Sequence, residues 1–380
     1  MAAEGVNREG VNRAGVSRER VNPERVNPQR LIAERLRSHR LAAPAAGPGE
    51  AATHMLAVQA QDFTAGRWAL AARSRAEPTL RRVDAAFDAG TLVRSWTMRG
   101  TIHIVPARDL GWMLSVTADR QRRQAAAVHA REGLDDDVLH RAERLVRAAL
   151  RGGGRLTRSE FLAVLDAGGV PVAGQRGYHL IVALALRGVV CWGPVVPRAG
   201  APTREQHLVL VDEWVTDAAH PADPLAELFV RYIAGHGPAG AEDFAWWTGL
   251  PLGDARRAAA ASVPRLTEVD AGQYVAPARP RRASGAPRVL ALGPFDEYYI
   301  SYADRGPVAD AGVRDAVGPG RNGMVRAIIL ADGRVVGTWT HSLAAGRHTD
   351  RPVPALLVAG TASADEVAAA LDRYARFITS

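Results

Sequence analysis

The sequence has no lysine. Its 48 basic residues, set against 40 acidic ones for a formal net charge of +8, are all arginine. That absence removes a phosphate-loop lysine, a lysine Schiff base and a lysine general base. Any anion bound here is gripped by planar, permanently charged guanidinium groups. Cysteine is nearly absent too. Cys191 alone excludes an intramolecular disulfide framework and a zinc ribbon, and its apolar surroundings make it inert. The eleven histidines show no metal-ligand spacing, so neither metal nor cofactor is expected. Long apolar runs are missing as well. Leu180–Leu186 is far shorter than the roughly 20 residues that span a bilayer, and no signal-type apolar segment opens the chain. A cytoplasmic, membrane-free protein is the expectation.

What is present is 47% apolar and 23% charged, ordinary for globular domains, and 380 residues suggest two to four of them. The pI near 10.4 favours a polyanionic partner, although the basic residues are not gathered into one block. From Glu4 to Pro28 five pentapeptides follow one another, EGVNR, EGVNR, AGVSR, ERVNP and ERVNP. Five residues match neither the helical nor the strand period, so 1–28 reads as a disordered tail, with a DNA-grazing arm as the alternative.

Order should begin near Leu31, with Leu31, Leu36 and Leu41 on or near one helical face. Helical signal runs from Ala51 to about Ser74, broken around Phe63–Gly66, and a further helix ends at Gly90. LVRSWTMRGTIHIVP then reads as two strands meeting at Arg99–Gly100. Helices closed by a hairpin describe a winged helix. The pattern recurs after a long helical stretch, Ala107–Leu150, with a capping box at Thr157 and Glu160 and an apolar strand VVCWGPVV. It recurs again from Pro224, ending in a hairpin around Asp-Ala-Gly. Beyond a Pro/Arg-rich linker the chain turns strand-like, through GPFDEYYISY and a hairpin at Asp332-Gly333. It closes on an amphipathic helix capped near Ser363. The expected class is α+β: winged helices over 29–106, 107–200 and 221–278, then a small barrel or sheet with a helix over 288–380.

The segments HMLAVQAQDF, MRGTIHIVPARDL, FAWWTGL, GPFDEYYISYADR and NGMVRAIILADGRVVGTW, in this order, resemble one family. They look like the winged-helix DNA-binding proteins that include the AlkZ/YcaQ type of DNA glycosylase. The likeness runs from about residue 31 to the end. It implies three tandem winged helices and a C-terminal β-barrel in a C-shape whose concave face binds DNA. It also implies excision of N-alkylated (N7 or N3) purines from double-stranded DNA, interstrand crosslinks included. A monomer associated with the nucleoid is expected. The family signature is Gln-Φ-Gln or Gln-Φ-Asp, with Φ apolar, and Gln59, Ala60 and Gln61 match it.

Residues i and i+2 sit about 200° apart on a helix but on one side of a strand. For Gln59 and Gln61 to act together the chain must be extended there, which the alternation from Leu56 to Gln61 permits; two exposed helix glutamines are the plain alternative. Glutamine takes no proton at neutral pH; it can only hold and orient. Such a pair suits a leaving group that is already activated, as an N7-alkylated, cationic purine is. What remains is to place a water under C1′ and stabilise an oxocarbenium-like state. Without lysine the attack falls to water, leaving an abasic site. The N-terminal amine, on the tail, is the one other candidate. Asp62 points away from the glutamines and reads as a helix N-cap.

Arg99, Thr101 and His103 share one strand face and, aimed outward, suit contacts to DNA phosphates; a solvated polar face is the alternative. Trp246–Trp247 reads as core more than as a base-stacking platform. Asp296 and Glu297, adjacent on an expected strand, point to opposite faces, so a structural role fits them better than a paired-carboxylate site. Two other classes compete: a winged-helix regulator without chemistry, and a transposon-like or scaffold DNA protein, disfavoured because no carboxylate cluster for metal is visible.

Overall fold

The computed structural model describes residues 27–75, 79–198, 202–342 and 351–380. The pentapeptide tail lies outside them as far as residue 26. Asn27 and Pro28, which end the last pentapeptide, start a helix instead. The Asn27 side chain accepts from Gln29 N at 2.9 Å and Pro28 takes the first helical position. Helix α1 (Pro28–Ser38) is followed by α2 (Pro48–Met55), β1 (Val58–Gln59), α3 (Phe63–Ala72) and α4 (Leu80–Asp88). The break expected around Phe63–Gly66 falls earlier, where Leu56 turns left-handed at φ 63° and β1 follows, and Phe63–Gly66 opens α3. Strands β2 (Leu92–Met98) and β3 (Thr101–Pro106) close on Arg99 and Gly100, whose φ angles of 53° and 67° form the left-handed two-residue turn that a hairpin's twist favours.

The long helical stretch holds two helices, α5 (Leu110–Arg131) and α6 (Asp136–Leu150). The break comes at Gly133, left-handed at φ 61°, and the Asp135 carboxylate caps α6 by accepting from Val138 N. Helix α7 (Arg158–Ala167) opens on the Thr157–Glu160 capping box, ahead of α8 (Arg176–Leu186), β4 (Val190–Val195), β5 (Gln206–Leu210) and a short α9 (Val211–Trp214). The third repetition comprises α10 (Pro224–His236), α11 (Ala241–Thr248), α12 (Leu252–Ser262) and the hairpin of β6 (Thr267–Asp270) with β7 (Gln273–Val275).

The first two units are not separate. One antiparallel sheet runs β1-β3-β2-β4-β5, and Arg94 pairs with Trp192 where β2 meets β4. The boundary expected between residues 106 and 107 therefore divides a continuous sheet. Without β4 the outer edge of β2 would stand open.

The last part holds β8 (Val289–Leu292), α13 (Glu297–Ile300), α14 (Ala311–Val317), β9 (Ala327–Ala331), β10 (Arg334–Thr340), β11 (Val353–Leu356) and α15 (Ala364–Ile378). Its strands order as β11-β10-β9-β8. This corrects the expected barrel: among the described residues the sheet is open, because four strands are too few to close. GPFDEYYISY, expected as strand, leaves the sheet after Leu292 and forms α13, with Asp296 as its N-cap. Ser363 caps α15 as expected and forms a capping box with Glu366.

Two hydrophobic clusters hold these parts. One joins α1–α4 to the C-terminal sheet through Ile32, Trp68, Leu290 and Trp339; the other joins the five-stranded sheet to α5–α8 and α10–α12. The indole of Trp68 donates to Ala291 O at 2.9 Å. That seam carries residues 59–61 to residues 296–297. No described helix is long and apolar enough to cross a membrane.

Candidate active site

Gln59 lies on β1, the edge strand of the five-stranded sheet, paired with His103. The backbone is extended there, and the two glutamines meet on one side: Gln59 Nε2 donates to Gln61 Oε1 at 3.0 Å. Ala60 points the other way, fully buried, against α3. Gly66 makes room for it. A Cβ at Gly66 would stand 2.6 Å from Ala60 Cβ and 2.9 Å from Ile104 Cδ1. Gly66→Ala should therefore shift the central residue of the pair and destabilise the protein by about 1–3 kcal/mol. Denaturant unfolding measures the loss.

The orientation of the pair is set by Arg99. Its Nη1 donates to Trp247 O at 2.6 Å and its Nη2 to Gln59 Oε1 at 3.0 Å. A guanidinium only donates, so the Gln59 oxygen must face Arg99 and its amide nitrogen must face Gln61. Burial lowers the Arg99 guanidinium from its ordinary range, and the Glu297 charge opposes the shift.

Glu297 comes to the same place from α13, 238 residues along the chain. Its Oε1 accepts from Gln59 N at 2.7 Å and its Oε2 from Trp247 Nε1 at 3.0 Å. Ser301 Oγ also donates to Oε2, and His236 Nε2 lies 3.8 Å from it. Burial alone would raise this carboxyl. The neighbouring His236 and the Arg99 guanidinium outweigh it and hold the group at about 2, ionised. Behind it, Asp296 forms a bidentate pair with Arg73 at 2.7 and 2.9 Å, both side chains buried. Among the described residues no group of three His, Cys, Asp or Glu side chains is placed to hold a metal ion.

A family model described as DNA glycosylase AlkZ-like matches residues 52–377. The chain belongs to the AlkZ-like DNA glycosylase family. An interstrand DNA cross-link repair glycosylase of Streptomyces sahachiroi is 24% identical over 299 residues, covering 74% of this chain and 79% of that protein. The solved structure of the Streptomyces sahachiroi DNA glycosylase AlkZ superposes with a TM-score of 0.72 at 22% identity, over 92% of this chain and 96% of that one. Membership in a glycosylase family sets aside the regulator without chemistry.

In this glycosylase Arg99, Thr101 and His103 do not form the outward face expected of them. Their side chains are wholly or partly buried instead. His103 is fully buried, with Nδ1 3.0 Å from Thr97 Oγ1 and Nε2 3.5 Å from Thr101 Oγ1, which leaves no nitrogen for a phosphate. Arg99 and Thr101 are half-buried, and Thr101 Oγ1 donates to Met98 O at 3.1 Å. Trp247 is core as expected, whereas Trp246 is 45% exposed and donates to Ile300 O. Asp62 caps α3 as expected, accepting from Ala65 N at 3.1 Å. Burial pushes the Cys191 thiol up to about 12, consistent with an inert cysteine.

Burial and the Arg99 charge press His103 down to about 3, so it is neutral at pH 7. In the unfolded chain it takes a proton below about pH 6.5. The unfolded state thus gains protons that the folded state refuses, and stability falls as pH drops from about 6.5 toward 3. By pH 5 this residue alone should remove about 2 kcal/mol. Denaturant unfolding at pH 7 and pH 5 measures the loss, and His103→Gln should shrink it.

Glu297 is the buried residue at the glutamine pair whose position the sequence does not show. The signal was present, since Asp296 and Glu297 stood out as a carboxylate pair, but a strand reading sent them to opposite faces.

Proposed function

We propose that this glycosylase hydrolyses the N-glycosidic bond of N7- or N3-alkylated purines in duplex DNA, with water as the nucleophile. The observation that carries the reading is the pair of side-by-side amides at the sheet edge, fixed by Arg99 and Glu297, with no lysine anywhere in the chain. Neither amide can donate a full proton to a leaving base. The reaction therefore suits a purine whose positive charge has already weakened the bond. As C1′–N9 breaks, its electron pair neutralises the alkylated purine. A water held by Gln61 Oε1 adds to C1′, its proton passes to solvent, and an abasic site remains. Arg99 serves this chemistry by orienting Gln59 rather than by gripping phosphate, and Thr101 and His103 brace the strand behind it.

The three helical units, each closed by a strand or hairpin, support a winged-helix reading in which one concave face receives the duplex. The relative named for cross-link repair supports unhooking of interstrand crosslinks by the same bond cleavage. We take the enzyme to act as a cytoplasmic monomer on chromosomal DNA.

The test is base release from duplexes carrying N7-methylguanine, a crosslink or uracil, read as alkali-labile strand breaks. The cationic lesions should be released and uracil left in place. Borohydride should trap no covalent adduct. Equal release of uracil, or an efficient trapped adduct, overturns the reading.

A further inference from the structure

We propose that Glu297 is a positioning residue for base excision: it anchors the Gln59 backbone and supplies the negative charge that balances Arg99 beside the reacting sugar. This deepens the reading of the glutamine pair and rests on it.

The first part of this role is played at the backbone. Ala60 N donates to Ile102 O at 2.8 Å, and Val58 pairs with Ile104. Residues 58 and 60 therefore face β3 through their peptide groups, and Gln59 turns its own N–H away from the sheet. At an edge strand that donor has no ladder partner. Glu297 Oε1 takes it at 2.7 Å. Strand β1 is only two residues long, so this bond is a large share of what fixes the main chain under the first glutamine.

The second part is a symmetric grip. Arg99 and Glu297 hold the same two residues from opposite sides. Arg99 donates to Gln59 Oε1 and to Trp247 O, while Glu297 accepts from Gln59 N and from Trp247 Nε1. The clamp leaves the first glutamine with its amide orientation and its backbone both set.

The third is charge. Among the described residues Arg99 has no carboxylate within ion-pair distance, and both of its bonds go to neutral oxygens. An uncompensated cation beside the sugar would oppose the positive charge that develops as the glycosidic bond opens. Glu297 is buried, receives only donors and is therefore held as an anion. It offsets Arg99 without touching solvent or substrate.

The experiment compares Glu297→Gln, Glu297→Asp and the unaltered protein in single-turnover release of N7-methylguanine, alongside affinity for undamaged duplex. Glu297→Gln keeps the length but loses the charge, and should release base about a hundredfold more slowly. Its DNA affinity should stay within about threefold, since no DNA contact is removed. Glu297→Asp retains the charge but draws the carboxylate back from Gln59 N, and should recover only part of the rate. Release by Glu297→Gln within about threefold of the unaltered protein overturns the proposal. So do equal losses in both variants, or a rate loss matched by lost DNA affinity, either of which marks a merely structural role. Should Glu297→Gln not fold, Ser301→Ala removes one donor to Oε2 and leaves the carboxylate. Severalfold slower release at unchanged affinity then supports the proposal, and an unchanged rate overturns it. Gln59→Ala separates the two readings. If it leaves release intact, the role of the glutamine pair fails; if it slows release while Glu297→Gln does not, only the present inference fails.

Discussion

Gln59→Ala should slow release of N7-methylguanine by about 100- to 1000-fold, and Gln61→Ala by about 100-fold, with DNA affinity nearly unchanged. The bond from Gln59 N to Glu297 belongs to the main chain and survives the truncation. What disappears is the amide that accepts from Arg99 and donates to Gln61. Arg99 then keeps only Trp247 O as acceptor, and Gln61 loses the donor that orients it. Two functions go at once in the first variant and one in the second, hence the larger effect at 59. Single-turnover kinetics with an anisotropy measurement of duplex affinity reads both. A fall in affinity that accounts for the slower release would show that the glutamines bind DNA instead of serving the bond cleavage.

The largest effect on stability is expected at the buried ion pair behind the site. Asp296→Ala should cost about 3–5 kcal/mol of unfolding free energy, because it leaves the Arg73 guanidinium buried without a counter-charge. The side chains of Arg73 and Asp296 are 0% and 1% exposed, so water cannot take the place of the lost partner. Asp296 also caps α13, its Oδ1 accepting from Tyr298 N at 2.9 Å. Its loss therefore loosens the turn that carries Glu297, and base release should fall along with stability. Replacing both partners by apolar residues, Arg73→Met with Asp296→Leu, should cost less than either change alone, since no orphaned charge remains. Denaturant unfolding of the three variants checks the order.

How much of this was legible beforehand depended on the range of the interaction. Local signals carried through: the alternation from Leu56 to Gln61 pointed to extended backbone, the Arg99–Gly100 turn to a hairpin, and Asp62, Thr157 and Ser363 to caps. Each rests on contacts within a few residues. The position of Glu297 does not, because its site forms only when the C-terminal sheet docks on α3 through Trp68 and Ala291. The apolar run through GPFDEYYISY matches a buried strand as well as a short buried helix, and only that docking decides between them. Pairing of β2 with β4 is likewise long-range, and a two-strand wing looks complete in sequence without it. Which side of the strand at Arg99 and His103 faces solvent depends on what packs there, and here Arg99 reaches Trp247 O and His103 is fully buried.

The direction of the hydrogen bonds through the pair has a consequence for which residues each position tolerates. Position 59 receives from a guanidinium and gives to its neighbour. Of the uncharged side chains of that length, only an amide does both. Position 61 only receives within the chain, and a carboxylate receives equally well. The two forms of the signature, ending in glutamine or in aspartate, differ at the one place where the network is indifferent to the exchange. A Gln61→Asp variant should therefore keep its geometry, whereas an acidic residue at 59 would pair with Arg99 and break the chain of donors at its first link.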